Sequence, residues 1–144
     1  MTDQINEALR LENQLCFPLY ACSREVIKRY RPYLDTIGLT YTQYVAMMVL
    51  WEERSVSVKA LGERLYLDSG TLTPVLKSLE TKGYITRQRS KEDERVLIAS
   101  LTEEGAHLMD AAGEIPAQIG KCVRLTQEEA ATLYGLLYKL LGTL

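Results

Sequence analysis

The sequence predicts a mostly α-helical fold with a small β-hairpin. Three observations indicate it. Apolar residues recur at helical spacing through most of the 144 residues, and two short helix patterns joined by a capped turn lie near the middle. Two β-prone runs around a charged loop follow directly. Helix, helix and hairpin in this order predict a winged helix-turn-helix over about residues 41–101. Helices over about 4–37 and 103–144 would complete a single domain spanning 1–144.

The first helix is predicted over about residues 4–33. Pro18 lies inside this stretch, and proline removes a backbone donor and clashes with the preceding turn, so we expect a kink or a late start near Cys16. Arg31 and Pro32 mark the expected end. The apolar face comprises Leu15, Leu19, Cys22 and Val26. We therefore assign Cys22 to the core.

Two further helices precede the expected turn. The run from Tyr41 to Glu53 predicts a second helix, whose buried face comprises Val45, Met48 and Val49. A short third helix is predicted from Ser57, whose hydroxyl can cap free N–H groups, to about Leu65. Val56 and Leu61 bracket its start as a hydrophobic staple.

The fourth helix is the one expected to read DNA. Residues 68–74 supply capping side chains and an early proline, and the helix is predicted to stop at Gly83. Its expected buried face comprises Val75, Leu76 and Leu79. Residues 84–89 and 96–101 then predict two strands of a hairpin, with residues 90–95 as an exposed tip.

A fifth helix is predicted from Thr102, and a last one begins with a capping box over residues 126–129. The last helix carries an apolar stripe of Leu133, Leu136, Leu137, Leu140, Leu141 and Leu144. Leucines at this spacing can be core, but the chain has few other elements to cover them. A homodimer in which terminal helices pair across a two-fold axis is therefore expected.

The charge of the chain is unevenly distributed. From Arg54 to Lys91 eight basic residues stand against three acids, a net charge of +5, although the whole chain has a formal net charge of −2. An acidic remainder therefore conceals a basic segment that coincides with the predicted helix-turn-helix. Basic segments of this kind favour a nucleic-acid partner.

The predicted DNA-binding residues fall on the fourth helix and the hairpin. A helix enters the major groove, where its first turn presents hydroxyl and N–H groups to bases and phosphates. Lysines further along would contact the backbone, and hairpin arginines would reach the minor groove. The candidates are Ser69, Thr71, Thr73, Lys77, Lys82, Arg87, Arg89, Lys91, Asp93 and Arg95. We expect double-stranded DNA, with an inverted-repeat operator, as the partner.

Other classes are disfavoured. Three cysteines without CxxC spacing and a single histidine argue against a disulfide scaffold and a metal site, and we expect neither metal nor cofactor. No apolar run approaches the roughly 18 residues of a membrane span, and the N-terminal residues lack the pattern of a signal peptide. A cytoplasmic location without membrane contact is expected.

The block from residue 39 to 105 resembles the MarR family of dimeric winged-helix transcriptional regulators. The resemblance rests on the wing tip Asp93-Glu94-Arg95 and on the exit Ser100-Leu101-Thr102-Glu103-Glu104-Gly105. Helices before and after the block complete the architecture of that family, so the resemblance covers nearly the whole chain. It implies a dimeric transcriptional regulator and no enzymatic activity.

The N-terminal segments are similar to the organic-hydroperoxide-sensing, OhrR-like branch of that family. The similarity is carried by residues 15–20, 30–32 and 38–41. It implies that Cys16 is the peroxide-reactive cysteine and that Tyr30 and Tyr41 hold its thiolate. Phenol groups suit this role, because they donate hydrogen bonds to ionised sulfur without adding a negative charge.

Helical geometry adds a constraint on this site. Tyr20 lies four residues after Cys16 on the same helical face, whereas Tyr30 is fourteen residues on, about 21 Å along a straight helix. Tyr30 cannot reach its own Cys16. We therefore predict a site shared between subunits, with Cys16 from one chain and Tyr30 and Tyr41 from the other.

The resemblance further implies that Cys122 resolves the oxidised Cys16 of the other subunit as a disulfide. A low-molecular-weight thiol could do the same. The favoured function is a repressor that releases its operator when an organic hydroperoxide oxidises Cys16. Two alternatives are a related regulator that answers to a small aromatic or phenolic ligand, and a thiol peroxidase. A peroxidase function does not explain the basic wing.

Overall fold

The computed structural model describes residues 4–144, so the first three residues of the predicted domain lie outside the described part. The predicted fold class is confirmed: helices dominate, and a small antiparallel sheet follows the helix-turn-helix. Two short 3₁₀ turns, Glu7–Leu9 and Leu11–Asn13, come first. The elements that follow are α1 (Cys16–Asp35), α2 (Tyr41–Glu53), β1 (Ser55–Ser57), α3 (Val58–Leu65), α4 (Ser69–Thr81), β2 (Ile85–Arg89), β3 (Leu97–Leu101), α5 (Glu103–Ala112), α6 (Ile115–Gly120) and α7 (Gln127–Leu141).

The first long helix begins at Cys16, as the late-start prediction required. Pro18 is its third residue, where a backbone N–H would have no intrahelical partner, so the missing donor costs little. The predicted end at Arg31 and Pro32 is wrong, because α1 continues to Asp35. Pro32 removes one hydrogen bond, but burial of Leu34 in the core stabilises the last turn.

The sheet has three strands rather than the predicted two. Its order is β1-β3-β2, and all pairs are antiparallel. Strand β1 is only three residues long and too short to show a period in the sequence; it forms because β3 offers it a free edge. Val56 of β1 and Arg87 of β2 both lie opposite Ala99, which is buried at the centre.

Hydroxyl and carboxylate caps fix the helix starts. Ser57 accepts a hydrogen bond from the Ala60 N–H, and the predicted staple residues Val56 and Leu61 are both buried. Thr126 forms the predicted capping box with Glu129 at the start of α7. A second capping box, of Thr40 with Gln43, starts α2. These local bonds explain why most helix starts follow from the sequence.

The core is built around α2, which contacts α1, α3, α4 and α5. Its buried residues include Tyr44, Met47 and Leu50. The predicted face of α2 is therefore partly wrong: Met48 is 40% exposed. In α4 the innermost residues are Leu72, Leu76 and Leu79, so Leu72 replaces Val75. Neighbours on several sides shift the buried arc away from what one helix alone predicts.

The terminal helices remain largely uncovered within one chain. Helix α7 has no buried residue, so its leucine stripe is not part of the core of the single chain. The assignment of Cys22 to that core is also wrong, because Cys22 is exposed on α1. The sequence missed α6, whose six residues are too short to show a helical period. Across residues 4–144, no helix is both long and apolar enough to cross a membrane.

Candidate DNA-binding surface and redox site

The start of α4 is organised by Asp68. Its Oδ1 accepts a hydrogen bond of 2.7 Å from the Thr71 N–H, and this bond lowers the pKa of Asp68. Ser69, Thr71 and Thr73 are all exposed on the first turns. Lys77 is exposed on the same helix, opposite its buried leucines. The structure thus presents these four candidates together on one accessible helix.

Lys82 makes contacts within the protein that the sequence did not predict. Its Nζ donates hydrogen bonds to the Gly38 carbonyl and, at 3.2 Å, to Oε1 of Gln43. Both acceptors belong to the end of the α1–α2 loop and to α2. The ammonium group therefore ties α4 to the neighbouring helix with two of its three donors, while the residue remains exposed.

Arg87 is also engaged within the protein. Its guanidinium lies 3.2 Å from Glu80 on α4, and its backbone N–H donates to the same carboxylate at 3.0 Å. The side-chain hydrogen bond from Arg87 is the main reason why the pKa of Glu80 is lowered. Because the Arg87 side chain is mostly buried, its first role is to join β2 to α4.

The hairpin tip presents the remaining basic candidates. Asp93 accepts hydrogen bonds from the backbone N–H and the Nε of Arg95 at 3.0 and 3.1 Å. The side-chain bond with Arg95 lowers the pKa of Asp93. The Arg95 side chain is nevertheless 90% exposed, and Arg89 and Lys91 are exposed beside it. Asp93 therefore shapes the tip while its partner remains accessible.

Tyr30 and Tyr41 meet within one chain. Their ring centroids are 4.9 Å apart in an edge-on arrangement, and the Tyr44 ring lies 6.0 Å from that of Tyr30. Burial raises the pKa of both Tyr30 and Tyr41. The two phenols therefore stay protonated and are suited to donating hydrogen bonds.

Cys16 lies far from this pair in its own chain. It is the first residue of α1 and is exposed, and the helix runs unbroken past Tyr30. Fourteen residues of α-helix separate the two by about 21 Å. Tyr20, one turn beyond Cys16, is exposed and its ring lies 5.3 Å from the guanidinium of Arg24.

Cys122 lies beside the middle of α1, away from Cys16 at its start. It follows α6 and lines a shallow cavity of about 170 Å³ together with Val26 and Arg29 of α1. Arg29 is adjacent to Tyr30 in the chain. The second half of α1 thus carries Tyr30, which packs on Tyr41, and borders the cavity that Cys122 lines, whereas Cys16 begins the helix.

Sequence reasoning missed two residues that connect these parts. Gln43 bonds to α4, and Glu80 holds the hairpin. A signal for Gln43 was present, since Thr40 and Gln43 have the spacing of a capping box. Glu80 gave none, because a carboxylate on a helix is usually solvated. Among the described residues, no group of histidine, cysteine and acidic side chains is placed to hold a metal ion.

A capped recognition helix followed by a basic wing defines a winged-helix transcriptional regulator. The family model described as transcriptional regulator SarA/Rot matches residues 28–112. The organic hydroperoxide resistance transcriptional regulator of Bacillus subtilis is 53% identical over 136 residues, which cover 94% of this chain and 92% of that protein. The chain belongs to the SarA/Rot regulators within the MarR-type winged-helix family. These are transcriptional regulators and not enzymes, which sets the thiol peroxidase alternative aside.

Solved structures of AbfR from Staphylococcus epidermidis are similar over nearly the whole chain. Reduced AbfR bound to DNA superposes with a TM-score of 0.79 at 37% identity, covering 96% of this chain and 97% of AbfR. The disulfide form of AbfR gives a TM-score of 0.61 at 39% identity, covering 95% and 91%. Overoxidised AbfR bound to DNA gives 0.78 at 36% identity, covering 96% and 98%, so the backbone of this chain is closer to DNA-bound AbfR than to the disulfide form.

Proposed function

We propose that the chain is a cytoplasmic redox-sensing repressor that binds an inverted-repeat operator as a homodimer. Oxidation of Cys16 by an organic hydroperoxide releases the DNA. The observation that carries the proposal is the separation of Cys16, at the start of α1, from the Tyr30–Tyr41 pair and from the cavity lined by Cys122, both at the second half of that helix. A second chain in antiparallel orientation supplies the missing thiol. The similarity to a hydroperoxide resistance regulator supports this chemistry.

The exposed terminal helices supply the surface for that second chain. Leu133, Leu136 and Leu140 of α7 are accessible in one chain, as are Leu15 and Phe17 at the start of α1. Clusters of exposed apolar side chains such as these mark interaction sites in small proteins. Pairing of residues of about 4–37 and 103–144 across a two-fold axis buries them and places Cys16 of one subunit near Tyr30 of the other.

The proposed reaction begins at the sulfur of Cys16. Its thiolate attacks the terminal peroxide oxygen, the O–O bond breaks, and the alkoxide takes a proton and leaves as alcohol. Cys16 is then a sulfenic acid. The thiolate of Cys122 from the other subunit attacks that sulfur, an S–S bond forms and hydroxide leaves as water. A low-molecular-weight thiol can take the same step in place of Cys122.

Oxidation reaches DNA through the geometry of the dimer. A disulfide between α1 of one subunit and the segment after α6 of the other fits one relative arrangement of the subunits better than the other. The start of α4 and the tip of the wing are the DNA-contacting parts of each subunit. A change in their spacing across the two-fold axis therefore lowers affinity for an operator of fixed half-site spacing.

A mixed dimer tests whether the site is shared. One chain carries Cys16→Ser and a second, differently tagged chain carries Cys122→Ser. If sites form between subunits, one site of the mixed dimer retains both thiols, and cumene hydroperoxide yields a crosslinked dimer on a non-reducing gel. If each site lies within one chain, neither site is complete and no crosslink forms.

Two controls sharpen this experiment. Each homodimeric single variant lacks the Cys16–Cys122 pair at both sites and should stay uncrosslinked. The Cys22→Ser protein, which loses an exposed cysteine of α1, should crosslink like the wild type. Loss of crosslinking in Cys22→Ser would contradict the assignment of Cys122 as the resolving thiol.

A further inference from the structure

Gln43 is a polar side chain placed in the core. Only 7% of it is exposed, and it lies on α2 beside buried Tyr44 and Met47. A buried amide is unfavourable unless its donors and acceptor have hydrogen-bond partners. The partners of Gln43 therefore show which elements it connects.

The amide of Gln43 joins two helices. Its Oε1 accepts a hydrogen bond of 3.0 Å from the Thr40 N–H and one of 3.2 Å from Nζ of Lys82. Its Nε2 lies 2.9 Å from Oγ of Ser78. Thr40 precedes α2, whereas Ser78 and Lys82 belong to the second half and the C-cap of α4. Gln43, which completes the capping box of α2, therefore also connects α2 to the recognition helix α4.

One end of this bridge, Thr40, directly precedes Tyr41 in the chain. Tyr41 is the first residue of α2, and its ring packs on that of Tyr30. The Thr40 N–H is bonded to Gln43 and the Gln43 N–H to Oγ1 of Thr40 at 3.2 Å. A displacement of Tyr41 therefore moves the same helical turn that holds Gln43.

The other end touches the helix that reads DNA. Lys82 also donates to the Gly38 carbonyl, so the loop before α2 and the end of α4 share one ammonium group. If α2 shifted without α4, the buried amide of Gln43 would lose its hydrogen bonds to Ser78 and Lys82, which is unfavourable for a polar group that is only 7% exposed. The two helices are thus constrained to move together.

We infer that Gln43 is a positioning residue that couples the tyrosine pair to α4, so that oxidation at the shared thiol site changes the orientation of the recognition helix. The inference rests on the proposed function. Gln43 contacts neither the peroxide nor DNA. It acts through Ser78 and Lys82, the second half and the C-cap of α4.

The test compares the ratio of oxidised to reduced Kd between wild-type protein and the Gln43→Met variant. The probe is a duplex selected from a random pool by reduced wild-type protein, and its Kd is measured by fluorescence anisotropy before and after cumene hydroperoxide. The ratio of oxidised to reduced Kd reports coupling. Residues along such networks change coupling by about 0.5–2 kcal/mol, so Gln43→Met is expected to reduce the ratio by roughly 2- to 30-fold.

Several measurements separate coupling from a structural effect. Ser78→Ala removes one bond of the bridge with little loss of volume, and the double variant with Gln43→Met should reduce the ratio no further than Gln43→Met alone. Thr81→Ala, on an exposed position of α4, is the matched control and should keep the wild-type ratio. The rate of Cys16 oxidation should be unchanged in Ser78→Ala and Thr81→Ala, which leave the capping box beside Tyr41 intact.

The outcomes are distinguishable. If Cys16→Ser still releases DNA with peroxide, the proposed function fails. If Cys16→Ser does not respond but Ser78→Ala and Gln43→Met both keep the wild-type ratio, the inference alone fails. A fall in Tm with an unchanged Kd ratio shows a purely structural amide and also overturns it.

Discussion

At the scale of single residues, position decides what a side chain does. Tyr30 and Tyr41 are half-buried phenols whose pKa is raised by burial, so they remain donors throughout the neutral range. Tyr20 has the same side chain, but it is exposed and its ring lies against Arg24. The residue type identifies all three tyrosines as candidate donors, and their different burial distinguishes Tyr30 and Tyr41 from Tyr20.

Replacement of Tyr30 by Phe tests the donor role. Loss of one hydrogen bond to an ionised sulfur should lower the thiolate fraction of Cys16 roughly tenfold at fixed pH, since such a bond contributes about 1.5 kcal/mol. The measurement is the rate of Cys16 alkylation by iodoacetamide in Cys22→Ser, Cys122→Ser protein. Tyr20→Phe serves as the comparison, and an unchanged alkylation rate in Tyr30→Phe would count against the site.

Two lysines of the α4 region differ in the same way. Lys77 is exposed on the helix, whereas Lys82 donates to Gly38 and Gln43. A phosphate contact contributes about 0.9 to the slope of log K against log salt concentration. Lys77→Gln should therefore reduce the magnitude of that slope by about 0.9, and Lys82→Gln should leave it unchanged. An equal change in both variants would restore Lys82 to the DNA surface.

At the scale of elements, the contact between α4 and β2 fixes the recognition helix relative to the wing. The Arg87 guanidinium and backbone N–H both bind Glu80, which lowers the pKa of that carboxyl below its ordinary value of 4.5. A carboxyl with a lowered pKa in the folded state stabilises the fold above its ordinary pKa. That stabilisation is lost as the pH falls through the lowered value.

Glu80→Gln should remove this pH dependence. Above about pH 5.5 we expect the variant to have a lower urea midpoint than the wild type, and the gap should narrow steadily below pH 4.5. Glu63→Gln, an exposed carboxyl on α3, is the comparison. A gap that widened toward acid pH would contradict the pairing of Glu80 with Arg87.

Elements with a local cause were predictable from the sequence. The start of α1 near Cys16, the cap at Ser57 and the box at Thr126 all depend on residues within one turn, and all are present. Strand β1 and the roles of Lys82 and Arg87 depend on partners distant in the chain. No hydrophobic period or capping residue encodes such distant partners, so the sequence alone does not predict them.

At the scale of the whole molecule, the chain resembles one half of a larger assembly. Helix α7 buries none of its residues, and Leu136 is 58% exposed. In the proposed dimer this face is covered, and each reactive thiol is completed by the other subunit. Stability, sensing and DNA spacing then depend on the same interface.

Leu136→Lys should weaken that interface. A charged side chain in a buried apolar contact is strongly unfavourable, so the variant should be largely monomeric at micromolar concentration in analytical ultracentrifugation. Tyr66→Lys, at a comparably exposed apolar position in the turn before α4, should stay dimeric. A monomeric wild type, or a dimeric Leu136→Lys protein, would require another interface.

Release of DNA on oxidation of Cys16 can be followed in a single titration. Wild-type and Cys16→Ser proteins are bound to the selected duplex and titrated with cumene hydroperoxide while anisotropy is recorded. We expect wild-type protein to dissociate after about one equivalent per site and to rebind after reduction by dithiothreitol. Cys16→Ser should remain bound throughout. Release of DNA from Cys16→Ser at the same peroxide concentration would contradict the account.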